Sequence, residues 1–211
     1  MTLLLKNSLP AERNRGCVFA ENFDSVEAFY KNDGTVAAGT PIFGLRTVTF
    51  DGASYLSYPI GNTVIRGSRA FSIIGMFTAS STAGTQFWIE LALCGGVANT
   101  GIGIGISGGN WVVQIPAVAV LSVAAVTVGQ RVQIGVTYNG GAGTIRTYAN
   151  GIAGPTQNTT QAVTNVGFRV GNRLGFVDYA IGVCHFIRLF DQELSLEEVA
   201  AYANNTMWSV I

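Results

Sequence analysis

Charge is scarce in this 211-residue chain: Asp, Glu, Lys and Arg make up 11% of it, against about 25% in an ordinary soluble domain. Twelve basic and twelve acidic residues cancel, and ten of the basic ones are arginine. No run of Lys or Arg occurs, which excludes nucleic acid as a main partner, because phosphate binding needs a clustered basic surface. Histidine is scarcer still, with His185 alone. A zinc site needs three or four suitably spaced ligands, and a catalytic triad needs its histidine beside both a nucleophile and an acid. The sequence neighbour Cys184 projects to the opposite face of a strand, so His185 reads as a sheet residue, solvated or hydrogen-bonded. No Asp or Glu lies between Glu90 and Asp178. A retaining glycosidase needs two carboxylates about 5–5.5 Å apart. Glu90 in "FWIELAL" has no such companion, and Asp191 and Glu193 sit in a turn beside a helix start. The expectation is no catalysis, no cofactor and no metal.

Two further absences bound the class. The three cysteines, Cys17, Cys94 and Cys184, cannot all pair and form no disulfide framework, which is compatible with a reducing compartment. Long apolar runs are missing too. "IPAVAVLSVAAVTVG" is short of a membrane span and starts at a proline, so it is expected to form two core strands. "MTLLLKNSLPAER" is too short in its apolar part for a secretory leader. Synthesis in the cytoplasm, with no membrane contact, is the expectation.

Glycine, in contrast, is abundant, with 27 residues. "GIGIGISGG" (101–109) contains G-x-G-x-x-G at Gly103, Gly105 and Gly108. A dinucleotide fingerprint needs a following helix and an acid about 20 positions later. The β-branched "NWVVQIP" follows, and the acid is missing. The pleat gives a better reading. Ile102, Ile104 and Ile106 share one face and suit a core, while Gly101, Gly103 and Gly105 leave bare backbone on the other face for something to approach closely. "SGGN" then turns the chain into a returning strand.

Most of the chain reads as short strands between turn signals: "RTVTFDG", "SYLSYPI", "AFSIIGMFTAS", "TQFWIELALCG", "GIGIGIS", "NWVVQIP", "QRVQIGVTYNG", "TIRTYANG", "VGFRVGN" and "YAIGVCHFIRLF". One helix is expected in "DQELSLEEVAAYAN". Ser195 is its N-cap and Glu198 stands at capping-box spacing. Leu196, Val199 and Tyr202 or Ala203 share a face, packed across the end of the sandwich. The charge is segregated: Arg131, Arg146, Arg169 and Arg173 fall in an acid-free stretch, and acids dominate from Asp178 onward. The division is an arm over 1–18, one domain over 19–204 and an apolar tail over 205–211. The fold class is all-β, an antiparallel jelly-roll β-sandwich with one short C-terminal helix.

The order "GQRVQIGVTYNG", "TIRTYANG", "IGVCHFIRLF", "LSLEEVAAYAN", with "FDGASYLSY" and "AFSIIGMFTA" upstream, resembles a laminin G-like domain of the concanavalin A-like lectin/glucanase superfamily. The resemblance covers about residues 19–204 and is densest over 129–204. It implies the jelly-roll sandwich and a fold that hosts lectins, adhesion modules, glycosidases and structural proteins. Two positions depart from the family pattern. Arg131 stands where a tryptophan is usual. His185 stands where many relatives place an acid that helps hold calcium, and an imidazole offers no oxygen ligand.

The function expected is a non-catalytic structural or adhesion subunit of a larger assembly, with a phage or virus particle as the setting (capsid decoration or tail component). Its partners are copies of itself or scaffold proteins, met through Met207, Trp208, Val210 and Ile211. The alternative is a carbohydrate-binding lectin in which Trp88 and Trp111 stack on sugar rings, with Tyr55, Tyr58 and Tyr148 as further aromatic candidates.

Overall fold

A computed structural model of the chain describes residues 17–23, 35–44, 46–58, 70–92, 102–115, 119–159, 167–173 and 178–204. Among the described residues fifteen strands form two facing antiparallel sheets, accompanied by one helix. Sheet I has eight strands. Seven of them run in the order β13 (Ile152–Asn158), β12 (Thr144–Ala149), β11 (Arg131–Asn139), β6 (Phe71–Ala79), β15 (Ile181–Phe190), β4 (Thr47–Asp51), β3 (Ile42–Gly44). The eighth, β1 (Cys17–Glu21), pairs with Ile187–Phe190 of β15, beyond the part paired with β4. Sheet II has seven strands: β10 (Ala119–Ala125), β9 (Asn110–Ile115), β8 (Ile102–Ser107), β7 (Gln86–Ala92), β14 (Gly167–Val170), β5 (Tyr55–Tyr58), β2 (Thr35–Ala38). The ten strands read from alternation and turn signals are present. The short strands β1, β2 and β3 and the proline-containing β13 were not legible, because none has a clean alternating apolar pattern.

The main core lies between the sheets. Phe77, Trp88 and Trp111 form its aromatic centre, with ring centroids 5.3–5.7 Å apart. The three isoleucines of β8 complete it from sheet II. β6 is buried along nearly its whole length, which a half-exposed strand would not be. Its second face meets a smaller core: Ile74, Met76, Tyr148, Phe186 and Phe190 pack under the helix α1 (Leu196–Ala203), which contributes Val199 and Tyr202. The capping box forms as the sequence predicts. Glu198 N donates to Ser195 Oγ at 3.2 Å, and Ser195 N donates to Glu198 Oε2 at 2.9 Å. The helix lies on the outer face of sheet I, however, and not across the end of the sandwich. Leu196 is left exposed, because the apolar outward positions of β6, β12 and β15 draw the helix onto the sheet face. Among the described residues no helix is long and apolar enough to cross a membrane.

Two expectations are corrected by burial and pairing. The stretch 115–129, expected to form two core strands, contributes the end of β9 and, among the described residues, one further strand, β10, which is an edge strand with half-exposed or exposed side chains. β1 begins at Cys17, so the sandwich takes up the last two residues of the segment read as an arm. β1 is pinned by a buried polar knot. Arg188 Nη1 donates to the Glu21 and Ile187 carbonyls at 3.1 and 2.9 Å, and its Nη2 donates to Asn22 Oδ1. The Glu21 carboxylate, buried in the core, accepts from Phe23 N at 2.8 Å and from the Tyr58 hydroxyl at 3.3 Å. Burial first, and the Glu21 charge second, push the Tyr58 phenol and the Cys184 thiol upward, so both stay neutral and inert.

Candidate ligand-binding face

The glycines of β8 point outward from sheet II, opposite the buried isoleucines. A Cβ on Gly103 would stand 2.5 Å from the Phe87 ring, and one on Gly105 would stand 2.4 Å from the Gln86 carbonyl oxygen. The bare backbone is therefore filled by the chain's own Phe87. Above that ring, 4.5 Å from its centroid, sits the Arg173 guanidinium. Arg173 reaches in two directions: Nη1 donates to Gln114 Oε1 at 2.6 Å, and Nη2 meets Asp178 Oδ2 at 3.0 Å. A planar guanidinium stacked on a ring and forked between two acceptors is held rigidly.

Strand register extends this into a row. Ser57, Arg169, Glu90, Gly103 and Gln114 stand opposite one another across β5, β14, β7, β8 and β9. Arg169 lies over the Tyr55 ring at 4.9 Å, and Tyr55 neighbours Tyr179 at 6.3 Å. Tyr55, Ser57, Gln114, Arg169, Arg173, Asp178 and Tyr179 are half-buried, and Glu90 is 6% exposed. The outer face of sheet II thus presents two guanidinium groups, the Asp178 carboxylate, an amide and two tyrosines, with the Glu90 carboxylate buried beneath them, and the charges balance. Donors and acceptors packed beside ring surfaces suit a neutral polyhydroxyl ligand better than an ion.

A second concavity lies on the other side of the molecule. It is an open cleft of about 690 Å³ between β12, β13 and the start of α1, and it includes Arg146, Tyr148, Glu193 and Glu198. Its carboxylates already have structural work. Glu193 Oε2 accepts from Asn139 Nδ2 at 2.7 Å, and Glu198 closes the capping box.

The sequence-level candidates fare differently. Trp88 and Trp111 are 0% and 2% exposed in the aromatic centre of the core. They are not available as stacking platforms, and their pattern of strand alternation places them inward. Met207, Trp208, Val210 and Ile211 lie outside the described residues. His185 is half-buried, with Nε2 3.0 Å from Thr78 Oγ1. Burial, then the nearby Arg131 charge, lowers its pKa to about 4, so the ring is neutral at neutral pH. Among the described residues no group of three or more His, Cys, Asp and Glu is placed to hold a metal ion. Tyr55, read from the sequence as one of the aromatics able to stack on a sugar, does lie on this face, half-buried; Arg169, Arg173, Asp178 and Tyr179 were not singled out as a site. For these the one signal was the charge asymmetry, since the Arg173–Asp178 pair joins the acid-free stretch to the acid that ends it.

No family model and no curated protein matches the sequence. Solved structures do match in fold. Domain 4 of AbnA, a GH43 extracellular arabinanase from Geobacillus stearothermophilus, determined in complex with arabinotriose, aligns with a TM-score of 0.68 at 15% identity over 81% of this chain and 87% of that one. The binding domain of botulinum neurotoxin serotype D aligns at 0.69 and 14% identity over 92% of this chain and 52% of that one, so the protein spans about half of it. A native heptameric SAP-like pentraxin from Limulus polyphemus aligns at 0.59 and 15% identity over 74% and 81%. At such identities the likeness is one of fold. The protein is a jelly-roll β-sandwich of the concanavalin A-like type.

Proposed function

We propose that the protein is a non-catalytic recognition module that takes a saccharide on the outer face of sheet II. The observation that carries this reading is the row of Arg169, Glu90 and Gln114 beside the half-buried Tyr55 and Tyr179, braced by Arg173. Sugars are bound by such mixtures of polar groups and ring faces. The arabinotriose complex of the domain that shares this sandwich supports the same direction. Catalysis is not part of the proposal: Glu90 faces Arg169 across the ladder, and Asp178 is committed to Arg173. Kinship with laminin G-like domains, proposed from the motifs over 129–204, fits a recognition role. The test is a glycan array followed by calorimetry on the hit. Arg169→Ala and Tyr55→Ala should each weaken binding per folded molecule about tenfold, or about 1.4 kcal/mol, with the far-UV spectrum unchanged. An array with no hit, or a hit indifferent to both substitutions, overturns the reading.

A second reading, a subunit of a phage or virus particle or of another assembly, is favoured by a different observation. For a chain so poor in charge, apolar side chains at Ile42, Val120, Val128 and Ile152 are well exposed. Co-purification with a particle, lost on dissociating it, is the corresponding test.

A further inference from the structure

The four edges of the sandwich are not equally protected. Exposed backbone N–H and C=O groups at a sheet edge invite another strand, and natural proteins blunt them with short strands, prolines, charges or bulges. β2 and β3 are four and three residues long, and residues 39–41 carry the chain directly from one sheet to the other. β13 carries Pro155, which has no N–H to offer. β10 is different. It has seven residues, "AVLSVAA", with no proline and no charge. Among the described residues its ladder bonds run to β9 alone. Its defence is one bulge between Ser122 and Ala124. Leu121 and Val123 pack inward, whereas Val120 is 59% exposed and Val128, just past the strand, 54%. No charged residue occurs between Glu90 and Arg131, so β8, β9 and β10 together form an uncharged end of sheet II.

We propose that the β10 edge pairs with the β10 edge of a second copy of this chain, antiparallel about a two-fold axis perpendicular to the sheet. The groups to be satisfied are backbone donors and acceptors, which commits the occupant to an extended strand. That strand must carry no charge, because an ion would be set against Val120 and alanines without a counter-charge. β10 meets both conditions itself. Self-pairing sets Val, Leu, Ser and Ala against one another with no like charges in register. It also closes, leaving neither copy with that edge open, as an isologous contact does. The two sheets II become continuous, and their outer faces point the same way. If the saccharide reading holds, the dimer presents two such sites side by side, which raises avidity without a new contact. The dimer does not depend on that reading.

The test measures the mass of the full chain without ligand by light scattering from micromolar to hundreds of micromolar. The expected result is twice the 22.2 kDa of the monomer at the upper end. Val120→Lys and Ser122→Lys, both at exposed positions, should each return the monomer mass with an unchanged far-UV spectrum. Ile42→Lys, exposed on β3 at the far edge of sheet I from β13, the strand that packs beside β10, should leave the dimer intact. A wild type monomeric throughout, a dimer that survives both lysines, or one dissociated by Ile42→Lys but not by Val120→Lys, overturns the proposal. Two separate lysine positions keep the outcome readable should one variant fold poorly.

Discussion

The outer faces of the two sheets are finished in opposite ways. Sheet I turns Ile74, Met76, Tyr148, Phe186 and Phe190 outward, and α1 covers them with Val199 and Tyr202. The approach to the helix is fastened by Ser72, whose Oγ donates to the Gln192 carbonyl at 2.8 Å and accepts from Leu194 N at 2.9 Å. Sheet II turns Tyr55, Arg169, Glu90, Gln114 and bare glycine outward. No helix or strand among the described residues covers them; Phe87 and Arg173 fill the bare strip instead. Covering an apolar face with a secondary-structure element stabilises the fold but removes that face from use. Filling a bare face with a ring and a forked guanidinium leaves polar groups within reach of a ligand. One face is closed for stability, and the other is kept half-open.

The largest break in this comparison is expected in the core that both sheets share. Trp88 is fully buried against Phe77 and Trp111. Trp88→Ala should cost about 3–5 kcal/mol, seen as a lower denaturant midpoint, with saccharide binding per folded molecule unchanged. Loss of binding at full stability would instead return Trp88 to the ligand site. A smaller break separates the two faces. Gly105→Ala sets a methyl 2.4 Å from the Gln86 carbonyl oxygen, whereas a methyl at Gly135, under α1, has its nearest contact at 3.2 Å, to the Gln133 side chain. The first should cost about 1–3 kcal/mol and the second less, by chemical denaturation of the two variants. Equal costs would show that the glycine strip of sheet II is not filled as described.

How far the sequence reaches follows the same division. The ten strands with clear alternation, the Gly108-Gly109 and Asn150-Gly151 turns at positive φ, and the Ser195–Glu198 capping box were legible because their signals are local. The position of α1 was not, since it depends on outward apolar residues from three strands that meet only in the folded sheet. The candidate site was less legible still. Tyr55, Glu90, Gln114, Arg169 and Arg173 come from four strands and a loop and are aligned by register, which no short motif records. Of the aromatics read as sugar platforms, alternation within β7 and β9 turns Trp88 and Trp111 inward, Tyr58 and Tyr148 are buried, and Tyr55 is left half-buried at the surface.

The smallest expected effect concerns pH and belongs to sheet I. His185 is half-buried beside Thr78, and its pKa is lowered to about 4 by burial and by Arg131. The unfolded chain holds this histidine near 6.5. Between about pH 6.5 and 4 the unfolded state therefore binds the extra proton and the folded state does not. The neutral imidazole's contribution is fully present above pH 6.5 and is lost as pH falls through that window. Because the ring is half-exposed, solvent screening keeps the effect to about 1 kcal/mol or less. His185→Gln keeps a hydrogen-bonding group near Thr78 and removes the titration. The difference in denaturant midpoint between wild type and variant, measured at pH 7.5 and at pH 4.5, should change in the variant's favour at the lower pH. A difference that is the same at both values would mean that His185 titrates alike in the folded and unfolded chains, and that burial on this sheet does not reach its ring.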